Sequence, residues 1–405
     1  MRRAFLCIAM AAAASFAVAQ DQNKILIPES SVERPEDIGV RMHTNYYMYA
    51  PDPNITPKNP PPAGTVETPG SIACIYNLVT KVTGCPVATA TKVPTGGSQT
   101  IVIVDAYDDP SAGADLATFS AEWGLPSASF VKKYASGKKP PNACLSGWEG
   151  EEALDIEWAH AMAPKAKIVL MEAASNASSD LFAAVVAANS YIANHGGKGE
   201  ISMSWGSSEW SLEGVNDLFL IEPNVVYFAA SGDDAGVIYP SASPFVVSAG
   251  ATRIERNSSG NYTQQVATRH CNPNGTGCGG GKSVYEARPS DQDPVSGVVG
   301  SARGTPDIAS DSASDSPVWV YDSSCYGNWV EIYGTSVAAP TLAGIVNRAG
   351  LFKVNSIDEL TEVYNNRNNA ADYTDIASGR CDGHTGNNGY DMCTGVGVVK
   401  GYGKK

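Results

Sequence analysis

Thr100-Ile101-Val102-Ile103-Val104 is a short, almost wholly apolar run that stops at Asp105. Ala114 to Glu122 follows with apolar residues at helical spacing, and Lys167-Ile168-Val169-Leu170-Met171 is a second apolar run of the same kind. Leu181 to His195 reads as a helix closed by Gly196-Gly197. Ile201 to Trp205 and Val225 to Ala230 read as two more strands. Strands apolar on both faces and separated by helices predict a parallel sheet covered on both sides. In such sheets a site forms at the carboxyl ends of the strands.

Two stretches carry the chemistry. In Glu151-Glu152-Ala153-Leu154-Asp155 two carboxylates stand four residues apart at the start of a helical pattern that Pro164 stops. Gly334-Thr335-Ser336-Val337-Ala338-Ala339-Pro340 sets a serine at the mouth of a second, small-residue helix. Backbone N–H groups and the dipole at a helix start favour an oxygen that gains negative charge. Gly334 lets a substrate backbone come close. A serine nucleophile needs a base. The chain has five histidines, none in the Gly-His-Gly-Thr context of subtilisin-like enzymes.

Residues i and i+4 are neighbours on a helix, so Glu151 and Asp155 are the expected substitutes for that histidine. Two adjacent carboxyls resist ionising together, so one holds a proton it can pass on. Glu157 lies about 200° round the helix from Asp155. Glu152, three residues from Asp155, is left open by geometry. His160 is expected to be structural. Asp233, in Ser231-Gly232-Asp233-Asp234-Ala235-Gly236 after a buried strand, stands where subtilisin-like enzymes carry an oxyanion-binding Asn. A carboxyl donates a hydrogen bond only when protonated, which predicts chemistry in acid. Asp375-Ile376 and Asn387-Asn388-Gly389-Tyr390-Asp391 bracket a glycine-rich loop with the oxygen donors that calcium takes, or else form an acidic surface loop.

Several motifs in one order resemble the sedolisin, or serine-carboxyl peptidase, family over roughly residues 72–403. They are Glu151…Asp155, Ser202-Met-Ser-Trp-Gly206, Ser231-Gly-Asp233, Tyr239-Pro-Ser-Ala-Ser-Pro244, Gly279-Gly-Gly-Lys-Ser283, Gly304-Thr-Pro-Asp307, Gly334-Thr-Ser336 and Gly389-Tyr-Asp391-Met-Cys-Thr-Gly395. The resemblance implies a subtilisin-like α/β fold, a doubly wound and mostly parallel sheet with helices on both faces. It implies endo- or tripeptidyl-peptidase activity in acid, on peptide or protein substrates. By position it implies Ser336 as nucleophile, Glu151 as base, Asp155 as its partner and Asp233 as the oxyanion acid. Ser204, Trp205 and Gly206 would bind substrate backbone. One structural calcium would sit on Asp375, Asp391 and the carbonyls of Ile376, Asn387 and Gly389. Tyr333 stands where the family has a small residue, predicting a narrower site mouth, and Asn387 stands where a glycine is usual.

Composition sets the frame. Arg2 and Arg3, an apolar stretch from Leu6 to Phe16 and Ala17-Val18-Ala19 read as an export signal over 1–19. The reading predicts a secreted or periplasmic protein. Prolines crowd between Pro51 and Pro69, so 20–70 reads as a poorly structured arm and linker before a peptidase domain over 71–405. About fifty residues are too few for the folded prodomain usual in the family, so the arm reads as a truncated pro-segment. Eight cysteines remain beyond Cys7. Their spacing suggests Cys74–Cys85, Cys271–Cys278 and Cys381–Cys393, leaving Cys144 with Cys325. A net charge of −14 argues against nucleic acid. No later stretch is apolar enough to span a membrane, and a monomer is expected. The alternative function is a non-catalytic exported binding or scaffold protein on the same fold.

Overall fold

The computed structural model describes residues 25–61, 66–87, 92–142 and 144–405. The export signal expected over 1–19 lies outside them. The frame is a 10-stranded sheet. Ser129–Tyr134, Lys167–Ala173, Thr100–Ala106, Gly199–Met203, Val225–Ala230, Val247–Arg256, Ile308–Asp311 and Val398–Val399 lie side by side in that order, all parallel. Tyr373–Thr374 and Tyr262–Ala267 add antiparallel strands to it.

The apolar runs divide between two cores because successive side chains on a strand point to opposite faces. Ile101, Ile103, Ile168 and Leu170 pack with Leu154, Trp158 and Leu342, from the helices Trp148–Met162 and Ala338–Ala349. Val102, Val104, Val169 and Met171 pack on the other face with Leu181, Phe182 and Val185 of the Ser178–Asn194 helix. This is the expected α/β sheet with helices on both faces. Every described residue of Trp148–Met162 is buried. Its acidic residues therefore face protein. Among the described residues no helix is long and apolar enough to cross a membrane.

Two details position the site. Gly344 has no Cβ, and one added there would lie 2.7 Å from Met162 Cβ and 2.9 Å from the Ala159 carbonyl. The two helices touch through it, which brings the start of one beside the carboxylates of the other. The expected strand Ile201–Trp205 is broken at Ser204 into Gly199–Met203, in the large sheet, and Trp205–Ser208, in a separate 3-stranded sheet. Ser204 is the corner, and its polar groups turn inward.

The reading of 20–70 as poorly structured does not hold for residues 25–49. Ile25–Leu26 pairs with Tyr47–Tyr49, Tyr47–Tyr49 pairs with Asn328–Tyr333, and His43–Thr44 pairs antiparallel with Trp205–Ser208. Met42, Asn45, Tyr46 and Met48 are fully enclosed. The prolines that suggested disorder lie further on, from Pro51. The four disulfides pair as the spacing suggests.

Candidate active site

Thr335 and Ser336 form the turn that winds into Ala338–Ala349. The Val337 N–H donates to the Gly334 carbonyl and the Ala338 N–H to the Thr335 carbonyl. Pro340 costs nothing there, because first-turn N–H groups have no helical acceptor. Ser336 Oγ donates to Glu151 Oε2 at 2.9 Å and lies 3.1 Å from the Ser204 carbonyl. Ser204 Oγ donates to Asp155 Oδ1 at 2.8 Å. The structure thus brings Ser336, Glu151, Ser204 and Asp155 into one buried chain.

Asp233 closes the opposite side. Its Oδ1 accepts from the Thr335 N–H at 2.6 Å and from Thr335 Oγ1 at 2.8 Å, while Oδ2 has no partner. Gly334 has φ 123°, and a Cβ there would lie 2.4 Å from Asp233 Oδ2. Only glycine fits that corner.

Burial dominates the electrostatics. It pushes the Glu151 carboxyl well above its ordinary range, with the negative charges of Asp155 and Asp105 adding to it. Asp155 is raised by burial and by Asp105. Asp233 is raised by burial, against the two hydrogen bonds from Thr335. Among the described residues no cation touches any of them, so the cluster retains protons at pH values where exposed carboxyls have lost them.

The open alternatives resolve. Glu152 is raised by burial and then by the charge of Glu172, and it is Glu151 that accepts from Ser336. Glu157 accepts the Tyr321 N–H at 3.0 Å. His160 bonds the Pro126 carbonyl at 3.0 Å, away from Ser336. Trp205 buries its indole, whose Nε1 donates to the Val104 carbonyl at 2.7 Å. The backbones of Trp205 and Gly206 pair with Thr44 and His43.

That pairing is what the sequence reading missed. Tyr333, expected to narrow the mouth, is buried against the arm, its ring stacked 5.9 Å from Tyr47 and tilted 5.8 Å from Tyr49. The run Tyr46-Tyr47-Met48-Tyr49 is rich in strand formers, and it is the signal that could have revealed the arm.

Asp375, Ile376, Asn387, Gly389 and Asp391 also meet. The Gly389 N–H donates to Asp375 Oδ2 at 2.9 Å, and the Asn387 N–H to Asp391 Oδ2 at 2.9 Å. A Cβ on Gly386 would lie 2.7 Å from the Ile376 carbonyl oxygen. Two carboxylates and several carbonyls on one loop fit a hard cation such as calcium. The left-handed position of the loop falls on Gly389, with φ 79°, so Asn387 is tolerated.

No family model matches the chain. Kumamolisin of Bacillus sp. (strain MN-32) is 31% identical over 299 residues, 66% of this chain and 52% of kumamolisin. Sedolisin of Pseudomonas sp. (strain 101) is 36% identical over 129 residues, 31% of this chain and 21% of sedolisin. The chain therefore spans about half, or less, of the length of these curated relatives. The solved structure of Pseudomonas sedolisin, a serine-carboxyl proteinase complexed with pseudo-iodotyrostatin, matches with a TM-score of 0.67 at 23% identity. That match covers 83% of this chain and 96% of that one, and it shows the subtilisin-like α/β fold. In sequence the chain is similar to kumamolisin and sedolisin, and in fold to Pseudomonas sedolisin.

Proposed function

We propose that this chain is an exported serine-carboxyl peptidase that hydrolyses peptide bonds in acid, with Ser336 as nucleophile and Glu151 as its base. The observation that carries the reading is the 2.9 Å hydrogen bond from Ser336 Oγ to a buried carboxylate oxygen of Glu151. A general base must lie within hydrogen-bond reach of the proton it takes. Asp155, four residues on, is also raised by burial, so the pair would share protons, with one carboxylate of the two left to act as base. The Ser336 N–H and a protonated Asp233 would hold the oxyanion. Glu151 then returns its proton to the leaving amine. Ser204, Trp205 and Gly206 would bind substrate backbone as an added strand.

Asp375 and Asp391, with the carbonyls of Ile376, Asn387 and Gly389, would hold one calcium ion. When bound it supplies a cross-link between the two halves of the loop, remote from the proton transfers. Chelator at neutral pH should lower the melting temperature, because a ligand held only by the native state stabilises it. An unchanged melting curve removes the calcium.

The test of the reaction is Ser336→Ala. The variant loses one oxygen and should keep the wild-type melting temperature. Its hydrolysis of a denatured protein between about pH 3 and 7, where carboxyls titrate, should fall by several orders of magnitude, as with other serine nucleophiles. Activity above a trace refutes the assignment.

A further inference from the structure

A surface helix ordinarily turns its apolar stripe inward. The 3-10 helix Glu213–Phe219 shows most of its apolar side chains to solvent. Two carboxyls and one ring hold it down. Glu213 is fully buried and accepts the Trp210 N–H at 2.8 Å, and Asp217 accepts the Tyr239 hydroxyl at 2.9 Å and Ser243 Oγ at 2.6 Å. Phe219 stacks on Phe182, ring centroids 5.7 Å apart. On the outside Leu212, Val215 and Leu218 are 67, 61 and 73% exposed, and Ile221, three residues further on, is 47% exposed. A 3-10 helix has three residues per turn, so side chains three apart stack on one face and form a ridge. Val284 and Tyr285 are exposed beside it, where the Val284 N–H donates to Glu209 Oε2 at 3.1 Å.

The ridge continues the path along which a substrate strand would lie. Trp205–Ser208 runs away from Ser204, and its antiparallel partner in this structure, His43–Thr44, runs towards it. Further back along that partner, a Cβ on Gly39 would lie 2.8 Å from the Trp210 ring. A polypeptide on this path therefore passes Trp210 on the amino-terminal side of the bond at Ser336, and Leu212 is two residues beyond Trp210. The helix is tied to the same strand, because Tyr239, which holds Asp217, pairs with Ser207. Three residues of a 3-10 helix rise about 6 Å, and two residues of a strand span about 6.6 Å. Alternate side chains of an extended polypeptide thus match the spacing of the ridge. Burial raises the neighbouring carboxyls, Glu213 to about 8 and Glu286 to about 7, so in acid these two add no charge to the patch.

We propose that Leu212, Val215, Leu218 and Ile221 form an exosite that takes the alternate apolar side chains of an extended polypeptide, on the amino-terminal side of the bond that is cut. The proposal rests on the peptidase reading and names its substrate class, an unfolded apolar polypeptide rather than a short peptide. Apolar residues gathered in one exposed patch mark an interaction surface, where the same residues scattered singly would not. The ridge touches no reacting atom. Its contacts are the same in the ground state and the transition state, so they lower KM and leave kcat unchanged.

The experiment uses the full chain and a triple variant, Leu212→Ser with Val215→Ser and Leu218→Ser, at about pH 4, where an ordinary carboxyl begins to titrate. One substrate is a short peptide that spans only Trp205–Ser208 ahead of the cut bond. The other carries about twelve further residues of alternating Leu and Ser at its amino end, roughly 40 Å of strand and enough to pass Ile221. The wild type should show a KM about tenfold lower for the long peptide, less than one fully buried leucine would give. The triple variant should lose that advantage and keep its kcat, its KM for the short peptide and its melting temperature. Equal KM values for the two peptides in the wild type, or a loss in the variant that is the same for both, overturns the exosite and leaves the peptidase reading intact. If neither peptide is cut, the peptidase reading falls, and fluorescence anisotropy of the labelled long peptide decides the ridge. Binding that the triple variant loses supports it, and binding that is absent or unchanged in the variant overturns it. Self-association of the wild type that the triple variant abolishes, seen by sedimentation, gives the ridge to a second copy and overturns the proposal.

Discussion

Glu151 and Asp307 are equally cut off from water, both with no exposed surface, yet their surroundings are opposite. Asp307 receives Arg303 through two parallel bonds of 2.7 and 2.6 Å, the Tyr364 hydroxyl at 2.6 Å and the Ser248 N–H at 2.7 Å. Both of its oxygens accept at least two hydrogen bonds. Glu151 accepts from Ser336 Oγ and forms no ion pair among the described residues. Its nearest charged neighbours, Asp155, Asp105 and Asp233, are all acids. A fold that can bury a guanidinium beside one carboxylate has left the other without a cation. The difference separates a carboxylate kept for structure from one whose proton can move.

The largest expected effect breaks that contrast directly. Arg303→Met strands a buried charge, which costs about 3–5 kcal/mol. Glu151→Gln replaces a carboxyl that burial already holds towards its neutral form, so folding stability should change by about 1 kcal/mol or less. Peptide hydrolysis should nonetheless collapse in the Glu151 variant, because an amide is no base. Urea unfolding of both variants checks the pair. Equal losses of stability would mean that Glu151 is as firmly anchored in its site as Asp307.

The two regions differed in how far the sequence exposed them. The sheet was legible because Thr100–Ala106 and Lys167–Ala173 are continuous apolar runs with one local interpretation. The Glu151–Asp155 spacing was legible because helix geometry acts over four residues. Choosing between Glu151 and Glu152 was not, since it depends on Glu172, on a strand that pairs only after folding. The arm was misread for the same reason. His43 and Thr44 gain their order from Trp205 and Gly206, and no local pattern announces a pairing that distant. The prolines beyond Pro51 then lent their character to a whole segment.

A smaller effect sharpens the comparison at Asp233. This carboxyl is raised by burial, so it keeps its proton, and its donor, into mildly acid solution and loses both as pH rises through its raised value. Activity should peak in acid and fall towards neutral. Asp233→Asn supplies a donor that does not titrate, so it should retain part of the activity and lose much of the fall above about pH 6. A histidine-based site would gain activity as pH rises through about 6.5. A wild-type optimum at roughly pH 7–8 would therefore refute the carboxylate chemistry even with Ser336 essential.

The smallest effect is on the stability of the fold itself. Glu151, Asp155, Glu157, Glu200, Asp233 and Asp311 are all raised well above their ordinary range, burial being the first cause in each. A group raised in the folded state binds its proton more tightly there than in the unfolded chain. Its stabilisation is complete below the unfolded value, near pH 4, and is lost as pH rises through the folded one. Asp108 works the other way. Burial raises it, but hydrogen bonds from Lys132 and Lys139 prevail and lower it, so its contribution is lost in acid. The raised groups outnumber it, so the urea midpoint, measured with chelator throughout, should fall from about pH 4.5 to about pH 8, above the unfolded carboxyl range. Glu151→Gln should flatten that slope, because an amide binds no proton in either state. A midpoint that climbs with pH would mean that these buried carboxyls find cations in solution, and the contrast with Asp307 would disappear.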